Sequence, residues 1–163
     1  MRIKDAFADV AFMNSLFTTA ETEAHQLGDE VPGAEHFLLA ALAMQDESAR
    51  NAFRSAGSDA DAFRGAVTAV HNDALGSLGL DAPEIAAIDR VNRGAFRSSA
   101  VAQEVFHRAV AISKTRRPRL LRTADVARAV AELEGGTAAR ALSSLGIDRQ
   151  SLIAATTAAV VAS

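Results

Sequence analysis

Five cationic side chains fall within nine residues at Lys114-Thr115-Arg116-Arg117-Pro118-Arg119-Leu120-Leu121-Arg122. Such a run can dock on an acidic protein or on the phosphates of a nucleic acid. It has no interleaved aromatic ring on which a base could stack, so nucleic acid is the weaker fit of the two. Arg116, Arg117, Arg119 and Arg122 are therefore candidate partner-binding residues. The plain alternative is a solvated loop whose arginines pair with nearby acids. Glu21 and His25, four residues apart, share a helix face and read as a solvated pair rather than a metal site. The four histidines are scattered, and no metal site or cofactor is expected. No G-x-S-x-G turn and no acid–His–nucleophile set stands out by spacing. No G-x-x-x-x-G-K-[ST] loop is present to cradle a nucleotide. With no cysteine, disulfides, thiol catalysis and iron–sulfur clusters are excluded. The chain reads as a non-enzyme.

These residues must be positioned by helices. The 163 residues are 49% hydrophobic and 23% charged, with eight Phe, no Trp and no Tyr. Roughly a quarter of the chain is alanine, well above average usage. Ala is the best helix former, and only three Pro and ten Gly interrupt it. The composition predicts an all-α protein. A net charge of −3 argues against bulk electrostatic binding to nucleic acid. No apolar run reaches the 18 or so residues of a membrane span. Asp5 and Asp9 interrupt the amino terminus, so it does not read as a signal peptide and a cytoplasmic location is expected.

Apolar spacing predicts a first helix over about 4–27, stopped by Gly28, with Phe12, Leu16, Phe17, Ala20, Ala24 and Leu27 inward. Further helices are predicted over about 34–44, over 47–56 stopped by Gly57, and after Ser58-Asp59. Gly76, Gly79, Pro83 and Gly94 mark a linker over about 72–94, with a short helix near 84–91. The rhythm resumes with a helix over about 98–114, carrying Val101, Val105, Phe106, Ala109 and Ile112 inward. Another follows Thr123, which suits an N-cap, and ends near Gly135-Gly136. The last two are predicted over about 137–145, stopped by Gly146, and from Asp148 onward.

The halves read as one unit used twice. A gapless shift of 89 residues places Phe17 on Phe106, Gly57 on Gly146 and Asp59 on Asp148. It also aligns Ala20 with Ala109, Ala40 with Ala129, Ala49 with Ala138 and Ala52 with Ala141. Alanine matches are weak in so alanine-rich a chain. The Phe, Gly and Asp matches mark a core position, a helix stop and a helix start. Four short helices bury little surface alone, whereas two such units docked together share a larger core. The expected fold is two four-helix repeats, about 4–71 and 95–163, packed with pseudo-two-fold symmetry as a single domain.

The first repeat carries the resemblance to a known family. Ala24-His25-Gln26-Leu27-Gly28, then Gly33-Ala34-Glu35-His36-Phe37-Leu38-Leu39-Ala40-Ala41-Leu42, resembles the Clp repeat, A-x-x-L-G followed by G-T-E-H-L-L-L-A-L-L. The second repeat matches by spacing and by Ala138-Ala139-Arg140-Ala141-Leu142-Ser143-Ser144-Leu145-Gly146. Two such repeats form the amino-terminal domain of Clp/Hsp100 unfoldases. The likeness covers about 7–161, and the ATPase motor has no counterpart in it. The chain is either a stand-alone relative or a domain cut from a longer ATPase.

The resemblance implies a binding module for protein substrates or adaptors of Clp-dependent proteolysis, with Clp ATPase or protease subunits as further partners. In some ClpC-type members the G-T-E-H turn binds phosphorylated arginine. Glu35 matches that turn's glutamate, and a carboxylate there can pair with a guanidinium beside the free amides of a helix start. A first-turn acid also stabilises its own helix with no ligand at all. His36 matches the histidine and reads more simply as packed on the preceding turn. In the second repeat Ala124 replaces the glutamate and Asp125 the histidine, so the guanidinium partner is lost there unless the Asp125 carboxylate substitutes for it. A threonine that begins each repeat in pocket-bearing relatives is Val10 in one half and Ser99 in the other. Neither repeat therefore keeps both carboxylate and threonine. Phe7 and Phe96, near the repeat junction, are candidates for an exposed peptide groove, which in the family also takes cyclic-peptide antibiotics.

Overall fold

Aspartate and glycine punctuate the chain in the same way in both halves. The computed structural model describes residues 3–79 and 99–162. Among them are eight α-helices and no strand: α1 (Ile3–Leu27), α2 (Ala34–Ala43), α3 (Ser48–Ser55), α4 (Ala60–Ser77), α5 (Ala100–Ser113), α6 (Thr123–Ala131), α7 (Gly136–Ser144) and α8 (Arg149–Val161). Gly57 and Gly146 end α3 and α7 in the left-handed region, at φ 78° and 70°, which glycine alone adopts cheaply. Asp59 and Asp148 then cap the next helices. Their carboxylates accept the N–H of Ala62 and Ser151, each at 2.8 Å.

The first half of the predicted linker is corrected in part. Helix α4 continues to Ser77, because no glycine or proline intervenes between Ala66 and Leu75 to stop it. The predicted short helix over 84–91, and Phe96 with it, lie outside the described residues.

Packing follows the duplication. Helix α1 packs on α2, and α5 on α6, as counterparts should. Helices α2 and α6 meet each other at the centre. All of α2 is buried except Glu35 and Ala43, which is how a helix apolar all round must be placed. The third and fourth helices are exchanged: α3 packs on α8, and α7 packs on α4. Each pair joins one repeat's third helix to the other repeat's fourth. The matched alanines explain how the helices come so close. Ala20, Ala40, Ala49 and Ala52 are buried, and so are Ala109, Ala129, Ala138 and Ala141. Small side chains at these contacts let helix backbones approach.

The aromatic core is distributed differently from the sequence expectation. Phe37, Phe53 and Phe63 are fully buried. Phe17 and Phe106 are only partly buried and meet across the repeats with ring centroids 5.4 Å apart. Val101, expected inward, is 47% exposed. Its place beside the α5 start puts it on the rim of a groove instead of in the core. No helix among the described residues is long and apolar enough to cross a membrane.

Candidate functional site between the repeats

The starts of α3 and α6 are tied together across the repeats. Asp46 accepts the N–H of Ser48 at 3.0 Å and of Thr123 at 2.7 Å, one on each carboxylate oxygen. The Thr123 hydroxyl donates to the Asp46 carbonyl at 2.9 Å and accepts the Ala49 N–H at 3.1 Å. The Ser48 hydroxyl accepts the Ala124 N–H at 3.0 Å and lies 3.0 Å from the Thr123 hydroxyl. Thr123 therefore caps the other repeat's helix, where the sequence suggested it would cap its own. Burial alone would raise the Asp46 pKa. The hydrogen bonds from Thr123 and Ser48, with Arg122 nearby, outweigh burial and hold the carboxyl below its ordinary 3.8.

The same shift of 89 residues carries this cluster onto the starts of α7 and α2. There Gly135 stands for Asp46, Thr137 for Ser48, and Ala34 for Thr123. The residue before each helix, Gly33 or Gly135, supplies no side-chain cap. Among the described residues, nothing accepts the Ala34 or Thr137 N–H. Where one interface carries a carboxylate between two helix starts, the other has a groove of about 400 Å³. Asp29, Val31, Glu35, His71, Ser99, Val101 and Leu133 line it, together with the two helix starts.

This groove joins candidates that lie in separate repeats. Glu35 comes from the first turn of α2, and its carboxylate folds back over Gly33. A Cβ on Gly33 would sit 2.8 Å from Glu35 Oε1, so glycine at that position leaves room for the carboxylate. Ser99 comes from the second repeat, where it caps α5 by accepting the Ala102 N–H at 3.1 Å. Its own N–H donates to the Pro32 carbonyl at 3.1 Å, which fixes α5 beside the α2 turn. The carboxylate and hydroxyl missing from either repeat alone are thus supplied by the two repeats together. Asp29 and His71 were not singled out in the sequence, since 42 residues separate them.

The third residue of each central helix is a buried cap. His36 Nδ1 accepts the Gly33 N–H at 2.8 Å, and Asp125 accepts the Arg122 N–H at 2.8 Å. Each has a partner of opposite polarity. His36 Nε2 lies 3.1 Å from Asp29 Oδ2. Asp125 is gripped at 2.5 Å through both oxygens by Arg116, which also donates to the Leu120 carbonyl at 2.6 Å. At the second turn, the carboxylate considered for a ligand's guanidinium already holds a guanidinium of its own chain.

The remaining candidates lie apart from the groove. Phe7 and Val10 are exposed on α1, 71% and 53%, and neither lines the groove. Arg122 Nη1 is 3.7 Å from Asp46 Oδ1. Arg117 and Arg119 remain exposed. The basic run is therefore split between two structural arginines, Arg116 and Arg122, and three surface cations, Arg117, Arg119 and Lys114. Glu23 is buried and takes both its bonds from Arg64 at 2.7 Å, joining α1 to α4.

The eight helices of the described residues, in two interlocked quartets, make the fold that of a Clp amino-terminal domain. The solved structure of the N-terminal domain of the caseinolytic protease associated chaperone ClpD from Arabidopsis thaliana is similar to this chain with a TM-score of 0.65. The two are 22% identical, and the match covers 90% of each chain. No protein-family model matches the chain, and no curated protein sequence does.

Proposed function

We propose that this chain is a non-catalytic binding module for polypeptide substrates or adaptors of Clp-dependent proteolysis, and that the groove between the repeats is where it takes them. The observation that carries the reading is the contrast between the two pseudo-equivalent interfaces. One is closed by the Asp46 carboxylate. Among the described residues, the other presents the Ala34 and Thr137 amides without an acceptor beside two carboxylates, and no Lys or Arg lines it. Amides at a helix start favour an anion. Asp29 and Glu35 favour a guanidinium. A ligand bearing both groups, phosphoarginine in an unfolded segment, matches both, and Val31, Val101 and Leu133 offer apolar contact to the flanking residues.

Calorimetric titration tests this with phosphoarginine, arginine and inorganic phosphate. Phosphoarginine binds more tightly than either part. Glu35→Ala weakens it about tenfold or more, in line with loss of a charge-assisted pair, and barely moves the melting temperature. Gly135→Asp supplies the carboxylate of the other interface. Gly135 is extended, at φ −141°, and has open space at its Cβ, so the variant folds and loses phosphoarginine binding. Equal affinity of wild type and both variants removes the groove as the site. Cyclic peptides remain candidate ligands of the exposed Phe7 region. Of the basic loop, Arg117 and Arg119 are free to meet an acidic partner, and binding there falls steeply with salt.

A further inference from the structure

We infer that Asp29, Glu35 and His71 form a binding site for a divalent transition-metal ion, zinc by its chemistry, on one wall of this groove. One ligand atom from each of the three residues lies within 4.8 Å of the others. Asp29 comes from the loop after α1, Glu35 from the start of α2, and His71 from α4. Three separate elements converge there because α2 packs against both α1 and α4.

A second observation is independent of that clustering. Asp29 Oδ2 is a buried oxygen with no hydrogen-bond partner. The Nε2 of His36, a side chain 1% exposed, faces it at 3.1 Å but is not aligned to bond it. A carboxylate oxygen stripped of water and left unbonded is costly unless a cation is at hand. Among the described residues that line the groove there is no Lys or Arg. His71 Nε2 stands 3.6 Å from the same oxygen.

The roles divide by hydrogen bonding. His36 accepts the Gly33 N–H through Nδ1, so its Nε2 carries the proton and has no lone pair for a metal. It is a positioning residue beside the Asp29 carboxylate, 3.1 Å away, and a small rotation of Asp29 onto a metal would bring the His36 N–H into the bond that metal-ligating groups commonly have. His71 offers the imidazole, and Asp29 and Glu35 the oxygens. One nitrogen with two carboxylates, and a fourth position open to the groove, suits zinc better than magnesium or calcium. Side-chain rotation of Asp29 and His71, 38% and 24% exposed, closes the distances to the ~2.0–2.2 Å that zinc requires. The metal would share Asp29 and Glu35 with the basic ligand proposed above, so zinc and phosphoarginine compete. The metal site itself does not depend on that reading.

Calorimetry with zinc chloride on the intact chain tests the inference, with magnesium chloride as the comparison cation. The expected result is one zinc per chain and much weaker magnesium binding. His71→Ala and, separately, Asp29→Asn each lower zinc affinity by about tenfold or more, whereas His107→Ala, on the exposed face of α5, does not. Melting curves without metal show that each variant is folded. Saturating zinc weakens phosphoarginine binding to wild type and not to His71→Ala. No zinc binding, equal affinity in wild type, His71→Ala and Asp29→Asn, or an equal loss in His107→Ala overturns the metal site. Phosphoarginine binding measured without zinc decides the groove reading separately.

Discussion

Asp46 is the residue on which the two interfaces differ most. Its carboxyl is held below its ordinary 3.8, so it contributes stability that is fully present above about pH 4 and lost as the pH falls through the lower folded value. Asp46→Asn should cost about 1–3 kcal/mol at neutral pH, the loss expected when a buried polar partner is removed. The gap between variant and wild type should narrow in melts below about pH 4; a constant gap would mean that the charge of Asp46 does not matter. Phenylalanines separate by burial. Phe53→Ala should cost about 3–5 kcal/mol, as a filled core site does. Phe17→Ala should cost distinctly less, since its ring is only partly buried. Chemical denaturation ranks the two.

At the scale of helices, the notable feature is capping across the repeats. The hydroxyls of Ser48 and Thr123 each satisfy an orphan N–H of the opposite helix. Thr123→Val keeps shape but removes the acceptor for Ala49 and the donor to Asp46. It should cost about 1–3 kcal/mol, read as a lower denaturation midpoint. The double variant Ser48→Ala with Thr123→Val should lose less than the sum of the singles, because the two hydroxyls lie in one network. Additive losses would mean that the caps act independently. The caps most legible in the sequence were the local ones. Asp59 and Asp148 serve amides three residues away, and a spacing that short is fixed by the helix itself.

For the whole molecule, exchange of α3 and α7 means that each repeat completes the other. Neither half should fold alone. Residues 1–79 expressed by themselves should show little cooperative melting, because α3 lacks α8 and α4 lacks α7. Mixing the two halves should restore helical circular dichroism. A cooperative transition in an isolated half would show that its own four helices suffice.

The sequence by itself determined the helices, their stops and the duplication. Those depend on glycine conformation, on caps that reach three residues, and on apolar periods within a single turn or two. Matched alanines had little weight as letters, yet in both halves they are the buried contacts. Tertiary structure alone decided which repeat each polar group serves. The bonds of the Asp46 cluster that cross the repeats span 74–77 residues, so no local spacing announces them. Docking of the quartets brings Ser99 and Glu35 to one groove, and packing of helices within the first repeat brings His71 to Asp29; neither is a local spacing. Whether an interface is closed by its own carboxylate or left as a groove turned on Asp46 against Gly135, a difference visible in the sequence only once the packing gives it meaning.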